Sequence, residues 1–557
     1  MVKKAPTRSK AKTAKTNGAS ARANGGSHVV LPGSHRYHRA GAQVLGRADA
    51  HEWCDITIKL RRARELPEPV AGKAVLSRAE FAQRYGAAGD DLAAVESVLT
   101  KAGLTIESQD ATTRNIKVGG PVDAMEKLFQ VHLLRVQHND HFYRGRVGDI
   151  HIPKALDGIV TGVFGLDTRR MTRHRRSKGV LTATHALPAA AHRPWFLPQE
   201  LAAIYQFPPG GGDNQTIGII ELGGRYIASD LAEFAQLTGL GVPPKVVTVQ
   251  VEKESSQDAN DPDAIGECML DVEVVAGVCP KSTIAVYFSN FTEKGWVDVL
   301  DASLHDTANK PSVLSISYGL AEGTSIWTGQ AMQAVNDTLK EAAVLGIPVC
   351  IAAGDDGSDD QVGDGAAHVD FPSTSPFVLC VGGTALKKRN GKGFVETTWF
   401  DGDGLRKDGG GSTGGGVSEV IARPTWQKNI TIASVNPQAP AGRCVPDVAA
   451  DAAGSTGYFL VSLGKPQVSG GTSAAAPLWA ALLARLMANG KQVGFFTPLL
   501  YQPNANTAGQ PLGAAALKDI TSGNNATAAA GGYSAGAGYD AVTGWGSPNG
   551  ANLMKLL

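Results

Sequence analysis

Short apolar runs alternate with helical patterns along most of the second half of the chain. Each run has five or six residues, is rich in Val and Ile, and reads as a strand buried on both faces. The alternation predicts an α/β fold, with a parallel sheet covered by helices on both faces. The predicted strands are Ile217–Leu222, Ile284–Phe288, Val313–Ser317, Val349–Ala353 and Val378–Gly382.

A smaller α/β pattern occupies residues 48–168. Strand-like runs at Ile56–Leu60 and His132–Val136 are separated by segments with helical spacing. Because 557 residues exceed what one hydrophobic core usually organises, we expect this segment to be a separate domain ahead of a larger one at residues 198–557. The predicted helices of the smaller domain are Ser77–Tyr85, Asp91–Ala102 and Val122–Leu128.

Two polar segments flank the smaller domain. The chain begins with Lys, Arg, Ala, Ser and Gly, so residues 1–47 are predicted to be a disordered basic tail. Residues 169–197 join an arginine-rich stretch to an Ala/Pro stretch and have little periodicity. We therefore predict an exposed linker there, open to proteolysis.

The net charge of +1 hides a division along the chain. Residues 1–190 carry 31 Lys and Arg against 17 Asp and Glu, whereas residues 191–557 carry 22 against 35. A basic part and an acidic part in one chain favour docking of one on the other. A basic region can also bind nucleic acid, but this one lacks the interleaved aromatic residues that such binding uses, so we expect no nucleic-acid partner.

The composition disfavours several other classes of protein. Six cysteines form no Cys-x-x-Cys pair, which argues against a disulfide framework. No stretch reaches the roughly 18 to 20 apolar residues of a membrane span, so we expect a protein without a membrane partner. The first 28 residues also lack the apolar core of a signal peptide.

A candidate nucleophile lies at Ser473, which follows Gly471 and Thr472 and precedes an apolar helical stretch. The start of a helix supplies unpaired N–H groups and the positive end of the helix dipole, so a serine there can attack a carbonyl group. A serine before a helix is more often an N-cap. The longer string, with Pro477 four residues on, is more specific and resembles the nucleophile motif of subtilisin-like serine peptidases.

A nucleophilic serine needs a base, which is usually histidine. From residue 191 onward only His192, His305 and His368 remain, and none lies in the His-Gly-Thr-His string of subtilisins. His305 falls in a polar helical stretch and is expected at the surface. A carboxylate is therefore the alternative base.

Glu267 and Asp271 are spaced four residues apart in a predicted helix, so they share one face. Two neighbouring carboxylates repel each other and share protons, which raises one pKa and suits a base that works in acid. A solvated acidic face is the commoner explanation of such a pair. The neighbours of the pair are mostly apolar, among them Met269, Leu270 and Val274, which disfavours a solvated face.

Three motifs in chain order resemble the sedolisin family of serine-carboxyl peptidases, and its kumamolisin-type members in particular. They are Glu267-x-x-x-Asp271, Ala-Ala-Gly-Asp355 and Gly-Thr-Ser473-x-x-x-Pro. The resemblance spans nearly all of the chain from about residue 48 onward. It implies a subtilisin-like parallel-sheet catalytic domain, preceded by a smaller α/β propeptide domain of ferredoxin-like fold.

The same resemblance implies roles for individual residues. It makes Ser473 the nucleophile, Glu267 its general base and then acid, and Asp271 the residue that orients and supports Glu267. Asp355 would be a protonated acid that donates a hydrogen bond to the oxyanion, although Gly-Asp-Asp-Gly is also ordinary turn chemistry. An acid that must be protonated and a base that must be ionised predict a bell-shaped pH profile, with a peak at roughly pH 3 to 5.

Further positions follow from the resemblance. Glu221 belongs to an extended network in which related enzymes often have a Trp where this chain has Tyr318, so we expect tuning rather than loss. Asp370 stands where the family lines the pocket for the residue before the cleaved bond, which suggests a preference for Arg or Lys there. The family's single structural Ca²⁺ would be held by the side chains of Asp519 and Asp540 and by backbone carbonyls. The carbonyl ligands would be Ile520, Gly536 and Gly538.

The sequence thus predicts a secreted, acid-active serine endopeptidase made as a self-processing proenzyme. Its partners would be protein or peptide substrates and its own propeptide, which acts as an intramolecular inhibitor and chaperone, and it would be a monomer. Two alternatives remain: a subtilisin-type peptidase with a Ser/His/Asp triad, and a non-catalytic peptide-binding relative.

Overall fold

The computed structural model describes residues 27–139, 141–171, 173–174, 177–178, 193–252, 256–323, 325–389, 393–408 and 410–557. Most of the predicted tail and the middle of the predicted linker lie outside these ranges, including Arg175, Arg176 and His192.

The amino-terminal domain is built on a four-stranded antiparallel sheet in the order β4-β5-β3-β9. Two helices, α2 and α3, pack on this sheet around a core of Val, Ile and Leu side chains. Its strands are β1 (His28–Val30), β2 (Gln43–Arg47), β3 (Trp53–Leu60), β4 (Thr105–Asp110), β5 (Asn115–Pro121), β6 (Leu134–His138), β7 (His141–Gly145), β8 (His151–Pro153) and β9 (Val160–Phe164). Its helices are α1 (Arg78–Arg84), α2 (Gly89–Lys101) and α3 (Val122–Phe129).

The connectivity of this domain confirms the ferredoxin-like prediction. In chain order the sheet reads β3, helix α2, β4, β5, helix α3 and β9, which is the βαββαβ arrangement. The first and third of these strands lie at the centre of the sheet and the second and fourth at its edges. All three predicted helices and both predicted strands are present, with ends shifted by at most three residues.

The predicted disordered tail, residues 1–47, is wrong for its described part. Residues 28–30 form β1, which pairs with β8, and Leu31 is buried in the core. Arg36 is buried as well, with its guanidinium 3.1 Å from the carboxylate of Glu293 in the larger domain. The segment is held by strand pairing and ion pairs rather than by a long apolar face, so its sequence shows no periodicity.

The larger domain contains an eight-stranded sheet in the order β13-β14-β12-β15-β17-β19-β20, with β25 also paired to β19. Every pair in it is parallel except β19–β20. Two linker strands, β10 (Arg173–His174) and β11 (Ser177–Lys178), precede the domain. Its own strands are β12 (Thr216–Leu222), β13 (Lys245–Gln250), β14 (Thr283–Ser289), β15 (Val313–Ile316), β16 (Tyr318–Ala321), β17 (Val349–Ala352), β18 (Asp370–Phe371), β19 (Leu379–Lys388), β20 (Phe394–Thr398), β21 (Phe400–Asp401), β22 (Gly411–Ser412), β23 (Gly416–Ala422), β24 (Gly442–Val445), β25 (Val448–Asp451), β26 (Tyr458–Ser462) and β27 (Lys465–Gly470).

Helices cover both faces of this sheet, as predicted. On one face α7 and α10 pack against each other, and on the other face α8 packs against α9. None of the described helices is both long and apolar enough to cross a bilayer. The helices are α4 (Pro198–Ile204), α5 (Ala228–Thr238), α6 (Ser256–Ala259), α7 (Pro262–Val278), α8 (Glu293–Leu304), α9 (Gly329–Leu345), α10 (Thr472–Ala488), α11 (Thr497–Leu500), α12 (Leu512–Ala516) and α13 (Gly550–Leu556).

The two domains meet through buried charges on α8 and α9. Lys59 of β3 pairs with Asp301, and Arg62 and Arg114 both reach the carboxylate of Glu341. All the acids in this group belong to the larger domain and all the bases to the smaller one. The division of charge along the sequence therefore corresponds to a docked interface, as predicted.

The linker, residues 169–197, was predicted to be exposed, and its described ends are not. Arg169 and Met171 are buried at the beginning, and Trp195 and Phe196 at the end. Phe196 bridges to Tyr458 of β26, so the apolar residues before residue 198 belong to the core of the larger domain. All six cysteines are buried and none forms a disulfide, which agrees with the sequence prediction.

Candidate active site

Ser473 is the second residue of α10, at the start of a fully buried helix turn. The helix is preceded by Gly471 with φ +100°, a backbone conformation that favours glycine. At Gly470 a side chain would lie 2.3 Å from the carbonyl oxygen of Ala452, so only glycine fits there. The glycines of the predicted motif thus let β27 turn sharply into α10 and place the serine at the helix N-terminus.

Glu267 and Asp271 lie on α7, which packs against α10, and both are fully buried. The helix begins with Asp261 as N-cap and Pro262 in its first turn, and every residue from Ala264 to its end is buried. A helix buried all round carries no solvated acidic face. The commoner explanation of this acid pair is therefore wrong for this chain.

A serine that the sequence did not single out connects this acid pair to the nucleophile. The hydroxyl of Ser317 donates a hydrogen bond of 2.6 Å to Asp271, and its oxygen lies 3.3 Å from the backbone carbonyl oxygen of Ser473. Ser317 sits between β15 and β16, at the carboxyl end of a sheet strand, where sites of parallel sheets form.

The carboxyl groups around Asp271 interact strongly. Burial raises the pKa of Asp271 well above its ordinary value, the charges of Glu221 and Glu267 raise it further, and the hydrogen bond from Ser317 lowers it. The hydroxyl of Tyr318 donates a 2.7 Å hydrogen bond to Glu221. Burial and the same carboxylates raise the pKa of Tyr318 well above 10, so its proton stays in place. The structure thus brings together four of the predicted site residues.

Asp355 approaches the nucleophile from the other side. It follows β17 and Gly354, whose φ is +112°. One carboxylate oxygen, Oδ1, accepts hydrogen bonds from the backbone N–H of Thr472 at 2.8 Å and from its hydroxyl at 2.7 Å. Thr472 directly precedes Ser473. Both of these bonds go to Oδ1 of the carboxylate, so the turn that carries Asp355 is tied to the residue before the nucleophile.

A cation that the sequence did not reveal lies beside this acid. Arg406 forms a two-point ion pair with Asp356 at 2.6 and 3.0 Å, and its Nη1 lies 4.0 Å from Oδ2 of Asp355. Burial alone would raise the pKa of Asp356, but the charge of Arg406 lowers it to about 2. The pair anchors the loop that carries Arg406 next to the catalytic candidates.

Asp370 is buried beside the same turn. A side chain on Gly354 would lie 3.0 Å from its Oδ2, and one on Gly319 would lie 3.3 Å from the same oxygen. The carboxylate thus lies between the turn that carries Asp355 and the strand β16. Its role in a substrate pocket stays a prediction.

The linker crosses this site on two strand pairs. The strand β10 runs antiparallel to β16, with Arg173 opposite Gly319 and His174 opposite Tyr318. After two residues that lie outside the described ranges, β11 runs antiparallel to β27, with Ser177 opposite Gly470. Tyr318 follows Ser317, and Gly470 precedes Ser473 by three residues. The two pairs therefore flank the nucleophile.

The described histidines of the larger domain are engaged elsewhere. His305 donates or accepts a 2.6 Å hydrogen bond with Glu341, and its side chain is 7% exposed, so the predicted surface position is wrong. It packs against Phe81 of the smaller domain, which covers it. His368 is bonded to Asp364 at 2.9 Å. Among the described residues no hydrogen bond joins an imidazole to Ser473.

The predicted calcium ligands converge on one loop near the carboxyl terminus. Asp519 accepts a 2.8 Å hydrogen bond from the N–H of Gly538, and Asp540 accepts one of 3.0 Å from the N–H of Gly536. Ile520 lies next to Asp519 and is buried. In the described part of the chain no cluster of three or more His, Cys, Asp or Glu side chains could hold a metal. A cation here would need backbone carbonyls to complete its ligands.

Comparisons with known proteins agree with this geometry. Residues 61–169 match the family described as Pro-kumamolisin, activation domain, and residues 257–533 match the Subtilase family. Kumamolisin from Bacillus sp. (strain MN-32) is 40% identical over 550 residues, which is 95% of this chain and 96% of that protein. The chain belongs to the sedolisin family.

Other sedolisin-family proteins match over most of their length. Tripeptidyl-peptidase sed5 from Aspergillus fumigatus is 32% identical over 95% of this chain and 97% of its own. Sedolisin from Pseudomonas sp. (strain 101) is 29% identical over 86% and 81%. The crystal structure of Pseudomonas sedolisin complexed with two molecules of pseudo-iodotyrostatin superposes with a TM-score of 0.56 at 30% identity, covering 65% of this chain and 97% of that one.

These relatives establish that the chain is a serine-type peptidase of the sedolisin family with its own propeptide. The amino-terminal domain is its activation domain and the larger one its catalytic domain. Sequence reasoning missed three residues of the site: Ser317, Thr472 and Arg406. Thr472 stands inside the nucleophile motif, which was a usable signal. Ser317 and Arg406 are far along the sequence from the carboxylates that they contact in the structure.

Proposed function

We propose that the chain is a secreted, acid-active serine-carboxyl endopeptidase made as a self-processing proenzyme. Ser473 attacks the carbonyl carbon of a peptide bond while Glu267 accepts its proton, and Glu267 then returns the proton to the leaving amine. Asp271 orients Glu267. Asp355, in its protonated form, donates a hydrogen bond to the oxyanion. Water then hydrolyses the acyl-enzyme by the same steps in reverse.

The observation that carries this proposal is the pair of contacts on either side of the nucleophile. On one side, Ser317 contacts both Asp271 and the backbone of Ser473. On the other side, Thr472, the residue before Ser473, donates a hydrogen bond to Asp355. Carboxyl groups on two elements are therefore tied to the backbone at the nucleophile, which supports one of them as base and the other as acid. The described histidines of the catalytic domain, His305 and His368, contact other acids, which disfavours a Ser/His/Asp triad.

The proposed mechanism requires acidic conditions. Asp355 can donate a hydrogen bond only while it is protonated, whereas the carboxyl pair on α7 can accept a proton only when it is at least partly ionised. The rate therefore rises with pH as the pair ionises and falls again as Asp355 loses its proton. The maximum lies below pH 6.

A pH–rate profile on an internally quenched peptide tests the proposal. Wild type is expected to give a bell in the acid range and to be blocked by a peptide aldehyde, which traps an active serine. Glu267→Ala and Ser473→Ala should each lose at least a thousandfold in kcat. A maximum at pH 7 or above would contradict the carboxyl mechanism, and no hydrolysis by wild type at any pH would favour a non-catalytic peptide-binding relative.

The strand pairs of the linker support self-processing. Of the three bonds between His174 and Ser177, the one between Arg175 and Arg176 is the middle one along the sequence, with one strand pair before it and the other after it. Serine peptidases bind substrates as extended strands, and β10 and β11 are extended on either side of this bond. We infer that the Arg175–Arg176 bond is the first to be cut.

Two measurements test this site of maturation. The Ser473→Ala proenzyme should stay intact at pH 4, whereas wild type should yield a new chain that begins with Arg176, as read by amino-terminal sequencing. A first cut elsewhere in residues 172–192 would retain self-processing and contradict the register. Cleavage of the Ser473→Ala chain would mean that another peptidase matures the protein.

The same strand pairs favour endopeptidase activity. Because the linker continues beyond the nucleophile in both directions, the groove admits a chain on both sides of the cut bond. A tripeptidyl-peptidase, as the Aspergillus relative is named, releases three residues from a free amino terminus. Peptides with an internal Arg should be cut by this enzyme at the same rate whether their amino terminus is acetylated or free. Strict dependence on a free amino terminus would contradict the proposal.

Asp370 gives the pocket its charge. Its buried carboxylate lies beside Gly319 and Gly354, next to the strand that receives the linker, and the residue before the proposed bond is Arg175. We propose that Asp370 selects Arg or Lys at that position. Asp370→Asn should reduce the preference for Arg over Leu by about tenfold on a peptide library; an unchanged preference would contradict this role.

One Ca²⁺ fits the loop of Asp519 and Asp540. Two carboxylates and the carbonyl groups of a glycine-rich loop are the hard oxygen ligands that this ion prefers, and both carboxylates already contact the loop. The residues that would hold it are Asp519, Ile520, Gly536, Gly538 and Asp540, and the ion would fix the loop to the domain. Chelation should lower the melting temperature of wild type but not that of an Asp519→Asn variant.

We propose that the enzyme is exported and acts as a monomer on proteins and peptides. Acid activity suits an extracellular or otherwise acidified compartment rather than a neutral cytosol. Size-exclusion chromatography with light scattering on the matured enzyme, and fractionation of the producing cells, test the two statements separately.

A further inference from the structure

The linker residue Met171 occupies a built apolar pocket of the catalytic domain. Its N–H donates a 2.6 Å hydrogen bond to the carbonyl oxygen of Phe291, and the indole N–H of Trp296 donates to its carbonyl oxygen at 3.4 Å. The side chain is 1% exposed and belongs to an apolar cluster with Phe291, Trp296 and Tyr318. The catalytic domain therefore contacts both main-chain groups and the side chain of Met171.

The preceding residue, Arg170, lies on an aromatic and acidic surface. Its guanidinium stands 3.9 Å from the centre of the Phe291 ring, a distance at which a cation–π interaction is strong. The same group lies 3.6 Å from a carboxylate oxygen of Asp258 and 4.0 Å from one of Asp261. A neutral or acidic side chain in this position would satisfy neither the ring nor the two acids.

The groups that recognise these two residues remain after the propeptide leaves. Phe291, Trp296, Asp258 and Asp261 all belong to the catalytic domain. The activation domain contributes lesser contacts, which include a 3.2 Å hydrogen bond from Arg39 to the carbonyl oxygen of Arg170. Removal of the propeptide therefore uncovers a surface that is already shaped for a peptide.

The position of this surface relative to the cleft follows from the strand pairing. Met171 and Arg170 stand two and three residues before β10, whose pairing with β16 leads directly to the nucleophile. Counted from the proposed Arg175–Arg176 bond, they are the fifth and sixth residues on its amino-terminal side. A substrate bound along β16 in the same direction would bring its own residues to the same place.

We propose that Phe291, Asp258 and Asp261, with the adjacent pocket at Trp296, form a distal substrate subsite of the mature enzyme. It binds a basic side chain followed by an apolar one, five to six residues before the cleaved bond. The preferred substrates are therefore extended polypeptide segments with a basic–apolar pair upstream of the cut, rather than short peptides. This inference rests on the proposed peptidase function and adds the class of substrate.

Peptide substrates of matched length test it on the matured wild-type enzyme. One internally quenched peptide carries Arg and Met at the sixth and fifth positions before a single Arg–Arg bond, and the other carries Ala at both. The Arg–Met peptide should have a kcat/KM about tenfold higher, mainly through a lower KM. Equal values for the two peptides would overturn the subsite.

Variants of the acids separate recognition from general damage. In the double variant Asp258→Asn/Asp261→Asn, the ratio of kcat/KM between the Arg–Met peptide and the Ala peptide should fall from about tenfold to about two- to threefold, the value expected for a site without charge. Asp213→Asn makes the same chemical change at an exposed acid that pairs with Lys281, and it should keep the wild-type ratio. An unchanged ratio in the double variant would overturn the role of the acids, because a ratio is insensitive to the amount of folded enzyme.

The design also separates this inference from the proposed function. If wild type cleaves both peptides at equal rates in acid, the peptidase proposal stands and the distal subsite fails. If wild type cleaves neither peptide, the proposed function fails first.

Discussion

The hydroxyl of Ser317 donates a hydrogen bond of 2.6 Å to the carboxylate of Asp271. The same oxygen lies 3.3 Å from the carbonyl oxygen of Ser473, so one side chain holds the acid-bearing helix α7 in register with the nucleophile helix α10. The bond also favours the ionised form of Asp271, since it lowers a pKa that burial and neighbouring charges raise.

Replacing Ser317 by Ala should therefore change both the rate and its pH dependence. A lost hydrogen bond to a charged group is worth about 1.5 to 3 kcal/mol, so kcat should fall by about 10- to 100-fold. Without its donor Asp271 ionises at a higher pH, and the acid limb of the profile should move upward. Ser315→Ala, at a buried position of β15 two residues earlier, is the matched control. A loss of rate with an unmoved acid limb would contradict the electrostatic role.

Arg406 should set the neutral limb of the profile. Its guanidinium lies 4.0 Å from Oδ2 of Asp355 and favours the charged form of that carboxyl, which is the inactive form in the proposed mechanism. Arg406→Gln should therefore extend activity towards neutral pH. Arg406→Lys keeps the charge and should restore most of the wild-type limb. Identical limbs for Arg406→Gln and wild type would show that the cation is too well screened to matter.

Glu341 should determine how much acid is needed to release the propeptide. Burial alone would raise the pKa of Glu341, but the charges of Arg62, His305 and Arg114 lower it well below its ordinary value of 4.5. A group whose native pKa is lowered stabilises the docked state above the pKa of the free form, and this contribution is lost as pH falls through the native value. We therefore expect the interface to survive mild acid.

Glu341→Gln removes this charge at every pH and leaves two arginines without their buried acid. Self-processing of the variant should begin at a higher pH than that of wild type, as measured by gel electrophoresis after incubation across a pH series. Glu68→Gln is the control, because Glu68 pairs with Lys340 of the same interface but its side chain is 85% exposed. Equal pH midpoints for wild type and Glu341→Gln would contradict the prediction.

Glu273 should make the catalytic domain more stable in acid than at neutral pH. Burial and the charges of Asp230 and Glu233 raise its pKa well above 4.5, although the N–H of Val461 donates to it at 2.7 Å. A raised native pKa gives stability that is fully present below about pH 4.5 and is lost as pH rises towards the native value. The neutral form is the one that the interior accommodates.

Glu273→Gln should accordingly raise the melting temperature at pH 7 by about 2 to 4 °C and leave it nearly unchanged at pH 4. Calorimetry of the matured enzyme at both pH values measures the difference. Glu419→Gln, at an exposed position, should change neither value by more than about 1 °C. A gain at pH 4 as large as that at pH 7 would contradict an ionisation effect.

Much of the fold could be predicted because its strands are short, apolar and buried on both faces. The runs at Ile217–Leu222 and Val349–Ala353 correspond to β12 and β17 within a residue. The amino-terminal segment around Arg36 was missed because ion pairs with a distant domain, not local periodicity, hold it in place. Contacts of that kind depend on tertiary structure and leave no pattern along the chain.

The site shows the same limit. Glu267, Asp271, Asp355 and Ser473 were singled out as site residues because each stands in a motif with strict spacing. Ser317 was not, since its run also contains Ser315 and only the finished sheet decides which hydroxyl faces α7. Arg406 lies 51 residues from Asp355 in a polar loop, where a charged residue is the ordinary expectation.

The linker strands on either side of Ser473 have a consequence for the timing of activation. Under the proposed self-processing, the first peptide bond to be cut belongs to the same molecule, so we expect maturation to be unimolecular, with a half-time that does not change when the proenzyme is diluted. On this proposal, a single isolated proenzyme molecule can become active as soon as the surrounding solution is acidified.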